Sequence, residues 1–532
     1  MLARLHVVVA SAAVALVVSG CYDLKATPIE NPDAGDTDEN QWEEPDLQWV
    51  QVIGGEGGER IRAVDVASNG KILVAGTAEI PSATYGVGYG YESDLDPGEP
   101  QVLETMGSCH SIMWAIYQPS GRLDTAGVLT GSGGCKQAFD GVFLPDGESF
   151  LLTGYYAGMI NTGEELTEKS QAFSSTFSWD VFLARIGGGG QIEWIVDAGG
   201  MGSDLGNTTA VASGEALVGG YVSDDAVFGE GEPLEAAIAI GGEVQKGFIA
   251  AYDVDDGTLS WLASIDGTSE VTDVAAVLND KWAVAGWFEG TATFGEGESA
   301  QTVSASGDEK DGFVAVYGSS GELEWVKTVE GAQTARVDSV AVLENGSVLA
   351  FGTYEVEADF AEGSEDDLSV DLTGGTNPGT DLFVAKYKYD GEFEWALHIG
   401  GEGSDTANDI TTCDNDQSFI VTGSFSDSLI LGRSGGSAQR EKELASTHKD
   451  YTDAFLALYD VDGNLGWARR EGGEHGEAGM AVAASSNAIV MAGYYEGGAV
   501  FGDIEEGEDA PADPITPQWW GNWDIFVARY RD

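Results

Sequence analysis

The sequence predicts an all-β protein, a seven-bladed β-propeller of four-stranded blades closed by its N-terminal strand joining the last blade, and three observations predict it. A tryptophan-bearing strand recurs at Trp49, Trp194, Trp261, Trp325, Trp395 and Trp467, with a period of about 70 residues once the long first gap is counted as two. A second strand stands ahead of each copy, with an alanine at its centre in all seven: Ala115, Ala184, Ala250, Ala315, Ala385, Ala457 and Ala528. No stretch shows the 3.6-residue periodicity of an amphipathic helix, whereas glycine, at 76 of 532 residues against 13 prolines, is abundant enough to turn many short strands.

In chain order, residues 1–20 have the form of a secretion signal. Arg4 supplies the positive start, and the apolar run Val7 to Val18 is shorter than the roughly 20 residues a membrane span needs. The run ends in Val18-Ser19-Gly20-Cys21, which resembles the lipobox of bacterial lipoproteins. That resemblance implies cleavage before Cys21 and lipidation of its thiol and new amino end; several acyl chains hold a protein where one would not. An ordinary signal peptide followed by a chance cysteine is the competing reading. Residues 21–46 are polar and acidic, too poor in apolar side chains to pack, and are expected to be a disordered tether.

Residues 47–532 are the propeller. Each unit contains a strand such as Ser339 to Leu343, then a glycine-closed strand such as Ser347 to Gly352, then Asp381 to Tyr387, a tight Asp-x-x-Gly turn, and the tryptophan strand. The closing glycine recurs at Gly76, Gly154, Gly220, Gly286, Gly352, Gly423 and Gly493, and Phe-Gly or a relative follows eight residues later at Phe228, Phe294, Phe360, Leu431 and Phe501. Thr125 stands where the seventh tryptophan would be. The chain starts with a tryptophan strand, Leu47 to Ile53, and ends with its missing partner, Asp524 to Tyr530. The first is therefore expected to be the outermost strand of the last blade, which removes an unpaired edge.

The unit Gly-Gly-x-Gly-Ser-Asp, Val-x-Gly, Asp-x-Phe-Val-Ala-x-Tyr, Asp-x-x-Gly and Trp resembles the bacterial β-propeller repeats called SBBP, over essentially residues 47–532. The resemblance implies a secreted or surface protein of the myxobacterial lipoprotein type and carries little chemistry. Two long insertions depart from the repeat, Glu79 to Ser108 and Gly502 to Trp523. Trp519, Trp520 and Trp523, with Tyr85, Tyr89 and Tyr91, are the candidate ligand-binding residues, because flat aromatic faces stack on sugars or capture a partner's side chains. A flap packed on the propeller explains the tryptophans equally well.

With 90 acidic and 24 basic side chains the net charge is −66, which excludes direct binding to nucleic acid or an anionic bilayer. Contact with a membrane is expected through the lipid anchor only, and the protein is expected to be a monomer. Cys109 and Cys135 are the candidate disulfide, and Cys413 a buried thiol. Asp140, Asp273, Asp338 and Asp409, near the starts of innermost strands, could ring the channel and collect Ca²⁺, although repetition alone also explains them. The turns Asp253 to Gly257 and Asp460 to Asn464 place carboxylates at alternate positions but lack the downstream glutamate of a calcium loop. Five scattered histidines show neither ligand spacing nor a nucleophile partner. No catalytic residue and no cofactor other than Ca²⁺ is assigned. The expectation is a lipid-anchored, cell-envelope, non-enzymatic scaffold with protein or glycan partners at the inserted loops; the alternative is a calcium-assisted or hydrolytic enzyme in the acidic channel.

Overall fold

The computed structural model describes residues 44–531 apart from 56–57, 79–81, 91–100, 105–109, 130, 132, 161–173, 308, 361–371, 374–378, 414–416, 433–440 and 502–522. Seven antiparallel four-stranded sheets form seven blades. Blade five is typical, running from its innermost strand Ala335–Val342 through Val348–Glu355 and Thr380–Tyr387 to Phe393–Glu402. A single turn of 3-10 helix, Gly297–Ser299, is the helical content of the described residues.

Closure follows the predicted route. Blade seven consists of Glu477–Ser485, Ala488–Tyr495 and Asp524–Arg531 from the C-terminal end, with Asp46–Gly55 as its fourth strand. Leu47 pairs with Tyr530 and Val52 with Phe526. The strand is not the edge of its sheet, however. Ser82–Gly90, from the first insertion, pairs along its other side, and Gln101–Glu104 lies beyond that. The edge left by closure is covered by a hairpin of the next blade, because the connection between the second and third strands leans backward around the ring. The same device recurs elsewhere: Ala226–Phe228 of blade three pairs with Ile192–Gly200 of blade two, and Ser428–Leu431 of blade six with the outer strand of blade five.

Seven apolar clusters, one per interface between neighbouring blades, make up the core. The recurring alanines all lie fully buried in them, where the preceding sheet leaves room only for a methyl group. The tryptophans clamp each blade to the next. The ring of Trp325 lies against Gly391 in the turn of the following blade and its indole N–H donates to the Tyr389 carbonyl at 3.1 Å; Trp194 against Gly257 and Trp49 against Gly121 repeat the arrangement. Thr125 breaks the pattern without breaking the clamp, since Trp114 on the neighbouring strand lies across Gly127 and covers the equivalent turn glycine, Gly190.

Candidate functional site at the mouth of the channel

Each innermost strand begins at one end of the channel and carries a β-bulge two or three residues into the pairing. The register slips at Arg62, Phe139, Asn207, Thr272, Asp338, Asn408 and Met480, and in every blade the residue before the slip pairs with the recurring glycine of the second strand. A Cβ on any of those seven glycines would collide with a backbone carbonyl of the innermost strand, such as that of Arg336 facing Gly352. The glycine therefore permits the bulge, and the bulge turns one extra side chain per blade toward the channel mouth or the next blade.

The residue after each bulge builds a ring deeper in the channel. In blades two to six these are Asp140, Thr208, Asp273, Ser339 and Asp409, acids alternating with hydroxyls. The Thr208 hydroxyl donates to Asp273 at 2.8 Å, and the Ser339 hydroxyl lies 2.7 Å from Asp273 and 3.0 Å from Asp409. Each carboxylate also accepts a backbone N–H of the next blade: Asp140 from Thr209 at 2.7 Å, Asp273 from Val340 at 2.8 Å, Asp409 from Val482 at 2.7 Å. Burial, and the neighbouring Asp273 charge, push Asp409 up to about 8 and Asp140 up to about 7. Three of the four predicted channel acids thus share one ring. Asp338 is the bulged residue itself, one position away, paired with Arg336 at 2.8 Å and hydrogen-bonded to Thr353. Among the described residues no three His, Cys, Asp or Glu side chains converge as a metal-holding group.

Between blades six, seven and one the mouth opens into a cavity of about 270 Å³ lined by Arg60, Arg62, Thr406, Asn408, Met480, Tyr494 and Trp523, with Ile61, Ser424 and Ala478. No acid lines it. Trp523 stacks on Tyr494 with ring centroids 4.5 Å apart, and the Arg60 guanidinium sits 5.2 Å from its centroid. Arg62 stands over Phe139 at 5.6 Å; burial, then the Arg60 charge, lower its pKa. Neither arginine has a carboxylate partner among the described residues. Two guanidiniums without a carboxylate partner among the described residues, beside hydroxyl and amide groups, are suited to receive an anionic group.

Of the predicted aromatic residues, Trp523 alone is placed at this mouth. Trp519, Trp520 and Tyr91 lie outside the described residues, and Tyr85 and Tyr89 belong to the strand paired outside Asp46–Gly55, at the outer rim of blade seven. Sequence reasoning missed Arg60, Arg62 and Tyr494, although two arginines two residues apart, in a chain with only 24 basic side chains, were a usable signal.

Cys135 is disulfide-bonded, and Cys109 and Cys21 lie outside the described residues. The next residue, Lys136, donates its N–H to the His110 carbonyl, so Cys135 sits at a seam between blades one and two. Cys413 is a free, buried thiol. Asp253 and Asp460 turn their oxygens onto their own loops, Asp460 accepting from the N–H groups of Asp462 and Asn464. His398 is hydrogen-bonded to Tyr354 and His110 to Gln137.

No family model and no curated protein matches the chain. Solved structures do resemble it: a protein of unknown function from Dyadobacter fermentans, 11% identical, covers 91% of this chain and 99% of its own with a TM-score of 0.37. Sqt1 from Chaetomium thermophilum is 10% identical over 84% of this chain and 96% of its own, with a TM-score of 0.34. A DUF4221 family member from Bacteroides vulgatus is 8% identical over 71% and 91%, with a TM-score of 0.32. At these values they carry no functional argument.

Proposed function

We propose that the protein is a lipid-anchored propeller of the cell envelope that acts as a non-enzymatic binding module, holding a protein or glycan partner by an anionic group at the channel mouth. The observation that carries the binding role is the Arg60–Arg62 cavity, which gathers two positive charges with no carboxylate partner among the described residues, in a chain of net charge −66. Trp523 serves there as a prop: with Tyr494 it holds the Arg60 guanidinium in place. The lipobox-like Val18 to Cys21 and the acidic residues 21–46 support the anchor and tether. The ring acids support scaffolding, since their oxygens bind neighbouring blades.

Titration of the purified protein with neutral and uronate-bearing oligosaccharides and with acidic peptides, followed by tryptophan fluorescence, tests the reading. Acidic ligands should bind and neutral ones should not. Arg62→Gln should weaken binding at least tenfold, the loss of one charge-assisted contact of about 1.5–3 kcal/mol, with melting temperature unchanged. Equal affinity for neutral ligands, or indifference to Arg62→Gln, would rule the cavity out.

A further inference from the structure

A repeated seam joins each blade to the next just above the ring. At six interfaces the backbone N–H at the start of an innermost strand donates to a carbonyl of the preceding blade: Glu59 to Trp523, Lys136 to His110, Asp204 to Trp179, Ser269 to Gln245, Asp405 to Thr380 and Glu477 to Thr452. The residue after each acceptor lies in its blade's third strand, opening it at Ser111, Lys246, Asp453 and Asp524 and standing within it at Asp180 and Asp381, so the two residues at each seam follow from the register. They are Asp524/Glu59, Ser111/Lys136, Asp180/Asp204, Lys246/Ser269, Asp381/Asp405 and Asp453/Glu477. Four seams bring two acids together; two bring a lysine against a hydroxyl; none joins a lysine to an acid, which ordinary ion pairing would favour.

The lysine seams show what the position holds. Lys136, 2% exposed, turns its ammonium onto the carbonyls of Gly134 and Ala157 at 3.0 and 3.3 Å. Lys246 holds the carbonyl of Ala239 at 2.8 Å and a carboxylate oxygen of Asp266 at 2.9 Å. Both put a positive charge among oxygens. In the acid seams a carboxylate stands at the lysine's place in the register. Asp405 is 1% exposed, the Ser426 backbone N–H approaches its carboxylate without closing a full hydrogen bond, neither oxygen has another donor among the described residues, and Asp381 lies beside it. By register, Gly403 and Ser426 stand where Gly134 and Ala157 stand around Lys136. Asp453 and Glu477 are likewise buried, each with one oxygen unpartnered, but Arg470 lies 3.6 Å from Asp453 and supplies part of the charge.

We propose that the Asp381/Asp405 seam is a Ca²⁺ site, the cation taking the place that the lysine ammonium occupies in the equivalent seams. Two carboxylates and backbone carbonyls form the hard, all-oxygen shell that Ca²⁺ prefers, and a bound divalent ion removes the cost of burying two like charges. The site lies outside the arginine cavity and is independent of what binds there.

Calorimetric titration of chelator-treated protein with CaCl₂, paired with melting curves, tests it. Saturable binding is expected, with a rise in melting temperature of about 2–4 °C at saturating Ca²⁺. Asp405→Asn should remove one bound ion per chain. The double variant Asp381→Ser, Asp405→Lys copies the Ser111/Lys136 seam, and should fold, lose the same ion and melt independently of Ca²⁺ at that site. Arg62→Gln should bind Ca²⁺ as the parent does. The proposal is overturned if the parent shows neither heat nor a melting shift, or if the folded variants keep the full stoichiometry. Should the double variant fail to fold, the ion count of Asp381→Asn decides.

Discussion

The recurring glycines divide by what surrounds them, and the division predicts different costs for one substitution. At Gly352 a Cβ would meet both the Arg336 carbonyl and the Phe383 ring, 2.6 Å away, so either the bulge or the neighbouring strand must move. Gly352→Ala should therefore cost about 2–3 kcal/mol, the range of overpacked cores. At Gly214, in a left-handed turn with φ +84° and nothing within 4 Å, the same change meets only backbone strain, about 1 kcal/mol. Calorimetric melting of the two variants should separate them, with Gly352→Ala the lower; equal melting would mean that the bulge does not require the glycine. Trp114 gives a second contrast. It clamps blade two in the place of the tryptophan that Thr125 lacks, so Trp114→Ala should cost about 3–5 kcal/mol.

At the scale of the element, the N-terminal strand is the part whose loss has the largest predicted effect. Deleting residues 44–55 uncovers Asp524–Arg531, removes Trp49 from its seat on Gly121, and leaves the hairpin of the first insertion without its partner. The truncated protein should lose much of its cooperative melting and aggregate through the opened edge, as light scattering would show. This closure was legible in the sequence because the repeat is out of phase with the chain ends, leaving a tryptophan strand at one terminus and its partner at the other. The four strands and the buried alanines were legible for the same reason, since periodicity reports whatever all blades share, and Asp140, Asp273 and Asp409 were found because they recur at one register position in three of the blades. Arg60, Arg62 and Tyr494 were not, because their convergence depends on bulge geometry at the seam of blades one and seven, which the repeat within one blade does not show. The backward-leaning hairpins were hidden too. Their partner strand belongs to the preceding repeat, and a pattern read within one unit does not show which neighbour it touches.

For the whole molecule, charge and the ring act in the same direction on pH. Asp409, held near 8, and Asp140, held near 7, titrate in an unfolded chain near ~3.9. Between those limits the folded state binds more protons than the unfolded one, so stability falls as pH rises from about 4 to about 8. The groups facing these acids are Asp273, the hydroxyls of Thr208 and Ser339, and backbone N–H groups, none of them a cation that would reverse the sign. The exposed majority of the chain's 90 acids, ionising over the lower part of the same window, adds repulsion in the same sense. The two contributions separate by salt: screening at high ionic strength weakens repulsion between exposed charges far more than it alters carboxylates enclosed by blades. Melting measured in chelator should therefore be higher at pH 5 than at pH 8, and part of that difference should survive in 1 M NaCl. Asp409→Asn, which keeps an oxygen for the Val482 N–H but has no proton to lose, should reduce the surviving slope, the remainder belonging to Asp140 and to the buried seam acids Asp405 and Glu477, each pushed up to about 9, whereas Asp450→Asn at an exposed position should leave it as it is. A slope abolished by salt alone would assign the whole dependence to the surface and none to the ring.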